Sequence, residues 1–206
     1  MNLFQKNALR ISMNVFFFLS MATLALATGE VPTLEVSTTT SAKKVSLKVK
    51  DLSIASKAVI TLRDAKKTIL LEEKVAGIAS YGKILNLEEL PEGKYELSIS
   101  TPTREIIQPV ELTDDKVVVN ATLQRTIFHP IINIKADYVD ISWLGQQINT
   151  VTVEILNEAG GSVFKEKVTN VIKVEKRYDI SKLRNGAYYV KVATPHKSYF
   201  ERLVIR

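Results

Sequence analysis

A six-residue motif, Leu-x-x-Gly-x-Tyr, occurs twice in this chain, and the two copies lie 93 residues apart. The copies are formed by Leu90, Gly93 and Tyr95, and by Leu183, Gly186 and Tyr188. Shifting the chain against itself by the same distance aligns residues 58–112 with residues 151–205 without a gap. Apolar residues keep their parity across this alignment, and turn residues remain at the turns. The pattern indicates an internal repeat of one structural unit.

Apolar and polar positions alternate through most of the chain. Val45, Leu47 and Val49 are separated by polar residues, and the same period of two recurs over 94–99 and 151–155. This alternation is typical of strands that place one face in a core and the other in water. Turn-forming residues separate the strands at the spacing of a sandwich. The sequence therefore predicts an all-β protein of two tandem immunoglobulin/fibronectin-III-like antiparallel β-sandwiches.

The N-terminal residues have the composition of a secretory signal. Lys6 and Arg10 precede the apolar stretch 11–26, which is shorter than the roughly 20 residues that a membrane-spanning helix needs. Ala25 and Ala27 are small residues of the kind that signal peptidase accepts. The predicted organisation is a signal peptide at 1–27, a first sandwich at 28–123, a linker at 124–130 and a second sandwich at 131–206. No transmembrane segment is expected after cleavage.

Composition narrows the class of protein further. The chain has no cysteine, so its cores must hold without the disulfides that small secreted domains often use. Its formal net charge is +6, and basic and acidic residues are interspersed rather than clustered. Nucleic-acid binding requires basic residues massed on one face, so no nucleic-acid partner is expected. We expect an exported protein that resides in the periplasm, at the cell surface or outside the cell.

The repeated motif is interpreted as a folding device. Its leucine closes the core below a turn, and its glycine adopts a positive φ that would strain a side chain. Its tyrosine begins the next strand with a buried ring and a hydroxyl that bonds the backbone upstream, an arrangement known as a tyrosine corner. This interpretation makes all six motif residues structural.

Residues suited to catalysis or metal binding are sparse. His129 and His196 are the two histidines, and neither has a second His or Cys at ligand spacing. The acidic pairs Asp114-Asp115 and Asp137-x-x-Asp140 do not match a calcium-binding loop. The sequence also lacks a nucleophile elbow, a cysteine nucleophile and a glycine-rich phosphate loop. It therefore predicts no catalytic residue, no metal site and no cofactor, and a protein that is not an enzyme.

Aromatic side chains offer the remaining route to binding. Trp143 fits either the core or an open face, whereas Tyr189 should point outward because Tyr188 and Val190 point inward. Phe200 lies in a C-terminal strand with apolar residues on both faces, which indicates a covered strand or an interface. These three aromatics form the predicted interaction surface. In the first copy the matching strand contains Pro109, which favours an edge position.

The second copy contains a hairpin at 157–161, the stretch Asp-Ile-Ser-Lys-Leu-Arg-Asn-Gly-Ala-Tyr over 179–188, and a last strand ending Arg-Leu-Val-Ile-Arg at 202–206. In these features it resembles the C-terminal sorting domain carried by cargo of the type IX secretion system of Bacteroidetes. The resemblance covers residues 151–206, with a divergent internal copy at 58–112. It implies a small β-sandwich that the secretion machinery recognises.

Three functions are compatible with these observations. The first is a non-enzymatic, exported tandem β-sandwich that acts as a structural or interaction module at the cell envelope or surface, with an unidentified protein or glycan as its partner. A pilin-like subunit is a variant of this idea. The second makes the second sandwich a type IX sorting tail, which delivers the first sandwich outside the cell and brings in the secretion machinery as a partner. The third is a small secreted hydrolase.

Overall fold

The computed structural model describes residues 31–41, 43–53 and 57–206, and for Ile148 the backbone alone. Strands make up 66% of this part of the chain and all their pairings are antiparallel, which confirms the prediction of an all-β, immunoglobulin/fibronectin-III-like fold. The predicted signal peptide lies outside the described residues. The strands form two sandwiches, which are called here the first unit and the second unit.

The first unit contains nine strands and a single 3-10 turn among its described residues. They are β1 (Thr33–Thr38), β2 (Lys44–Lys50), β3 (Ala58–Arg63), β4 (Ile69–Val75), β5 (Tyr81–Asn86), β6 (Gly93–Ser100), β7 (Arg104–Leu112), β8 (Val117–Val119), the 3-10 turn Ala121–Leu123 and β9 (Arg125–Phe128). One sheet has the order β1-β2-β5, and the other has the order β4-β3-β6-β7 with β8 and β9 both paired to β7. The alternating apolar residues of β2 are fully buried between the sheets.

The second unit contains five strands, two of which are long. They are β10 (Ile131–Ile134), β11 (Tyr138–Asn157), β12 (Ser162–Asp179), β13 (Gly186–Ala193) and β14 (Ser198–Ile205). The first half of β11 pairs with β10 and with the second half of β12; its second half pairs with the first half of β12 and with β13. With the long strands counted as halves, the strand order equals that of the first unit.

A bend in the β11–β12 hairpin lets both halves enclose one core. The register of the hairpin shifts between Leu144 and Asn149. Trp143 before the bend and Val151 after it are buried in the same cluster. Gly145 lies against the indole of Trp143, where a Cβ atom would come within 2.6 Å of the ring. The bend therefore depends on a residue without a side chain.

The strand that carries Pro109 is not at an edge, so that prediction is wrong. β7 pairs with β6 along one side. On its other side Arg104–Ile107 pair with β9, and Val110–Leu112 pair with β8. Pro109 falls in the gap between these two partners, where no ladder needs a backbone donor. Sequence alternation alone could not reveal that two later segments return to this strand.

The segment interpreted as a linker also differs from the expectation. Residues 125–128 of the predicted linker 124–130 form β9, which is hydrogen-bonded into the sheet of the first unit. His129 and Pro130, which follow it, are buried. The physical reason is that β7 would otherwise expose unpaired backbone groups, and β9 satisfies them. The connection is thus part of the fold.

The imidazole of His129 lies between the units. Its ring centroid is 5.1 Å from that of Tyr199 in β14, and its Nε2 atom is buried without a hydrogen-bond partner among the described residues. Burial lowers the pKa of His129, and the positive charge of Lys197 lowers it further. Burial also raises the pKa of Tyr199 to about 12, with a contribution from the charge of Glu105. Both rings are therefore neutral near neutral pH.

The bend gives a first prediction. Gly145→Ala should lower the free energy of unfolding by about 1–3 kcal/mol, because the rigid, buried indole of Trp143 cannot retreat from the new methyl group. Urea unfolding followed by the emission of Trp143, the single tryptophan of the chain, measures the change. Gly82→Ala is the matched control, since the nearest atom to its Cβ would be at 3.9 Å. Equal stability of the two variants would contradict the account.

A second prediction concerns pH. The folded His129 has a lowered pKa, so between its ordinary value of 6.5 and that lower value the unfolded state binds more protons than the folded state. Stability should therefore fall as the pH is lowered below about 6.5. The melting temperature should drop less between pH 7 and pH 5.5 in His129→Gln than in the parent. His196→Gln, at an exposed site, should behave as the parent; equal slopes in all three proteins would refute the prediction.

Candidate functional site

Both copies of the repeated motif lie at the start of a central strand. Tyr95 and Tyr188 are buried, and their hydroxyl groups donate to the carbonyl oxygens of Pro91 at 2.6 Å and Arg184 at 2.9 Å. This is the geometry of a tyrosine corner. The two leucines are partly buried and pack against the adjacent cores; they are Leu90 and Leu183. The two glycines have φ values of 146° and 156°, in a region that favours glycine; they are Gly93 and Gly186.

Trp143 lies in the core of the second unit. Its ring is buried, and its Nε1 atom donates to the carbonyl oxygen of Phe128 in β9 at 3.2 Å. Of the two positions that the sequence left open, the core is therefore the observed one. Trp143 is thus not part of an exposed surface with the other two aromatics, although it does contact the first unit.

Tyr189 and Phe200 lie together on the outer face of the second unit. Their side chains are 37% and 56% exposed. Tyr189 pairs with Arg202 across the strands, and Phe200 pairs with Lys191, so the two aromatics are diagonal neighbours. Val204 continues the same row along β14 and is 49% exposed. We call this surface the outer face; it consists of Tyr189, Lys191, Phe200, Arg202 and Val204.

Basic side chains frame the apolar part of the outer face. The Lys191 Nζ atom lies 5.9 Å from the centroid of the Phe200 ring, within reach of a cation–π contact. Lys191 and Lys165 also approach the Glu154 carboxylate, at 3.5 and 3.8 Å. The Glu154 charge is thereby balanced, and Arg202 adds a positive charge beside Tyr189. The surface suits a partner with apolar groups and an acidic border.

The outer face borders a free strand edge. β14 pairs with β13 on one side, and no strand among the described residues pairs with its other side. Its inward face buries Leu203, while its outward face exposes Phe200 and Val204. An edge strand of this kind offers a row of backbone donors and acceptors for another strand.

Sequence reasoning identified Tyr189 and Phe200 but missed the other members of the outer face. Lys191, Arg202 and Val204 belong to the same two strands and have the same parity. The alternation within each strand therefore contained the signal. The register between the strands decides which side chains become neighbours, and it could not be read from either strand alone.

Two carboxylates of the second unit, Asp140 and Glu166, are held in ion pairs. Arg177 donates two hydrogen bonds to Asp140, at 2.6 and 2.9 Å, which lowers the pKa of that carboxyl. Lys176 and Tyr178 both bond Glu166 and lower its pKa.

Within the described residues there is no group of three or more side chains that could hold a metal ion. No helix in that part of the chain is long and apolar enough to cross a membrane.

One family model matches the second unit. Residues 131–206 match the family model described as the secretion system C-terminal sorting domain. The resemblance seen in the sequence is thus confirmed, and the match extends over the whole second unit. Comparison with curated proteins gives no match.

Two of the solved structures that are similar to this chain have low sequence identity to it. A segment of two fibronectin type III domains from chicken tenascin is 14% identical, with a TM-score of 0.29; the similarity covers 84% of this chain and 97% of that one. Dimeric latent PorU from Porphyromonas gingivalis is 12% identical, with a TM-score of 0.31; the similarity covers 84% of this chain and 20% of that one.

The tyrosine corner gives a third prediction. Tyr188→Ala should lower the free energy of unfolding by about 3–5 kcal/mol, because it empties a buried aromatic site. Tyr188→Phe should cost only about 0.5–1.5 kcal/mol, since it removes the hydrogen bond to Arg184 and keeps the ring. Urea unfolding measures both values. Tyr189→Phe, on the exposed neighbour, is the control; a Tyr188→Ala protein that unfolds like the parent would refute the structural role.

Proposed function

We propose that the chain is an exported, non-enzymatic protein whose second unit is the sorting module read by type IX secretion machinery. The first unit is then the part delivered to the cell surface or beyond, after residues 1–27 have directed export across the inner membrane. The observation that carries this proposal is the match of residues 131–206 to the sorting-domain family. The two units are, on this proposal, tandem copies of one module that have taken different roles.

The difference between the two last strands supports that division of roles. In the first unit β7, the strand that corresponds to β14, has β8 and β9 along its outer edge. In the second unit the equivalent strand, β14, has no such cover in the described structure. A free edge invites association, and proteins usually protect it. Its exposure on β14 suits a unit that docks onto another protein by strand addition.

Docking on this proposal uses both backbone and side chains. The free edge of β14 supplies main-chain hydrogen bonds, which give affinity with little dependence on sequence. Phe200 and Val204 supply apolar contact area, and Lys191 and Arg202 pair with acidic groups on the receptor. These charges fix the register, because a displacement by one residue would turn every side chain to the opposite face.

A non-enzymatic role is supported by how the polar groups are used. Glu105, the most buried carboxylate of the first unit, accepts hydrogen bonds from Arg63 at 2.7 Å and Ser98 at 3.0 Å. Burial raises its pKa, but these bonds outweigh burial and hold the pKa below its usual value. A carboxylate held in this way is ionised and occupied, and is unsuited to act as a general acid. The alternative function, a small secreted hydrolase, would be supported by activity of the purified protein on polysaccharide or peptide substrates.

The first unit has a feature that suits an interaction role. A groove of about 450 Å³ lies between the edge strands β4 and β5. Leu71 and Leu85 line it, and Leu70 and Ile84 are exposed at its rim. We propose that this unit acts as a structural or interaction module for a protein or glycan partner at the cell envelope.

The fourth prediction tests the sorting role in a bacterium that has the secretion machinery. The full chain should reach the cell surface or the medium, and should accumulate in the periplasm of a strain without the machinery. Phe200→Ser combined with Tyr189→Ser should reduce the external protein several-fold while leaving the fold intact. Ile84→Ser, an exposed apolar site on the first unit, is the matched control and should not affect export. Immunoblotting of cell fractions measures the distribution.

Two outcomes would overturn the sorting role. One is equal export with and without the machinery, and the other is equal export of the parent and the outer-face variant. Mass spectrometry of the external protein adds a separate readout of its C-terminus. A product that ends between the units indicates a tail that is removed, whereas a product ending at Arg206 indicates a tail that is retained.

A further inference from the structure

Strand β9 directs alternate backbone groups to the two units. The N–H of His129 donates to the carbonyl oxygen of Thr103 at 2.9 Å, next to the first unit's β7. Backbone groups of antiparallel strands point to the same side at every second residue. Arg125 and Ile127, which pair with Ile107 and Glu105, therefore also point their backbone groups towards β7.

The intervening residues of β9 point towards the second unit. The carbonyl oxygen of Thr126 accepts a hydrogen bond from Gln146 Nε2 at 2.5 Å. The carbonyl oxygen of Phe128 accepts one from Trp143 Nε1 at 3.2 Å. Both donors belong to β11, at the bend of the long hairpin. β9 is thus bonded along both edges, to a different unit on each.

Side chains reinforce the attachment of β9 to the first unit. Arg125 Nη2 lies 2.5 Å from Glu96 Oε1 in β6. The guanidinium carbon of Arg104 lies 5.3 Å from the centroid of the Phe128 ring, in a cation–π arrangement. Ladder, ion pair and cation–π contact together bind a short strand that on its own would be only marginally stable.

The backbone between the units is accessible at one place. Residues 120–124, which include the 3-10 turn, are exposed, whereas residues 125–128 are half-buried and His129 and Pro130 are buried. A protease acts on exposed turns of this kind. A cut in this turn would fall before β9, so β9 would remain covalently part of the second unit while still being hydrogen-bonded to the first.

From this arrangement we propose that residues 104–107 of β7 form a strand-binding edge whose occupant is β9, carried by the second unit. The two units then stay bound to each other after the chain is cut in the 120–124 turn. Covalent separation and physical release become two events, and release requires β9 to leave β7. This inference does not rest on the export role, because it concerns the contact between the units alone.

The fifth prediction tests this with the whole chain from residue 28. The recognition sequence of a site-specific protease is inserted between Thr122 and Leu123, and the purified protein is cut to completion, as judged by denaturing electrophoresis. On size-exclusion chromatography the two fragments should elute together at the position of the uncut protein, and they should separate in urea. Fragments of the parent that elute apart without denaturant would overturn the proposal.

Two proline substitutions locate the effect on β9. Ile127→Pro removes a backbone donor that faces β7, and its cut fragments should lose co-elution. Thr126→Pro removes a donor that faces the second unit, so its fragments should still elute together. Each uncut variant must first match the parent in circular dichroism and in elution volume. If Ile127→Pro does not match, it is replaced by Arg125→Glu, which places a negative charge beside Glu96 and so breaks the ion pair that holds β9. Co-elution of the Ile127→Pro fragments, or of the Arg125→Glu fragments where that variant is used, would show that β9 is not what binds the units.

Discussion

The outer hydrogen-bonding edge of β7 in the first unit, and of the corresponding strand β14 in the second, is the constraint on which the rest of this structure depends. A strand edge that is neither paired nor covered presents a row of backbone groups to any other strand. The first unit meets this constraint with β8 and β9, and that return of the chain past β7 joins it to the second unit. The second unit leaves the equivalent edge of β14 free. One architecture thus gives a unit whose strand edge is covered by its own chain and a unit whose strand edge is open to a partner.

The fold class was predictable because its signals are local. A period of two, turn residues at regular intervals and a motif repeated after 93 residues are all properties of neighbouring positions. They predicted the antiparallel sandwiches, and parity alone predicted that Tyr189 points away from the ring of Tyr188. The resemblance to sorting domains likewise rests on contiguous residues, and the family match covers them.

What could not be predicted depends on contacts between distant residues. Pro109 suggested an edge because proline has no backbone N–H to donate to a ladder. The two partners that leave a gap at Pro109 are β8 and β9, which come later in the chain and could not be placed from the sequence. Residues 124–130 resembled a linker because the strand within them, β9, has only four residues, which are too few to show a period of two. Trp143 has the parity of the buried Val139 and Ile141, so alternation allowed a core position, but its hydrogen bond to Phe128 in the first unit could not be read from the strand. In each case packing, rather than local preference, selects the structure.

The long hairpin of the second unit has a further consequence for how the two units can diversify. In the first unit seven residues separate β2 from β3, and five separate β4 from β5. Insertions are tolerated in such connections, and binding specificity commonly changes there. In the second unit the corresponding positions lie within the uninterrupted strands β11 and β12. An insertion at those positions would change the bend and the register of the hairpin that encloses the core, so the loops of the first unit can vary more freely than the hairpin of the second.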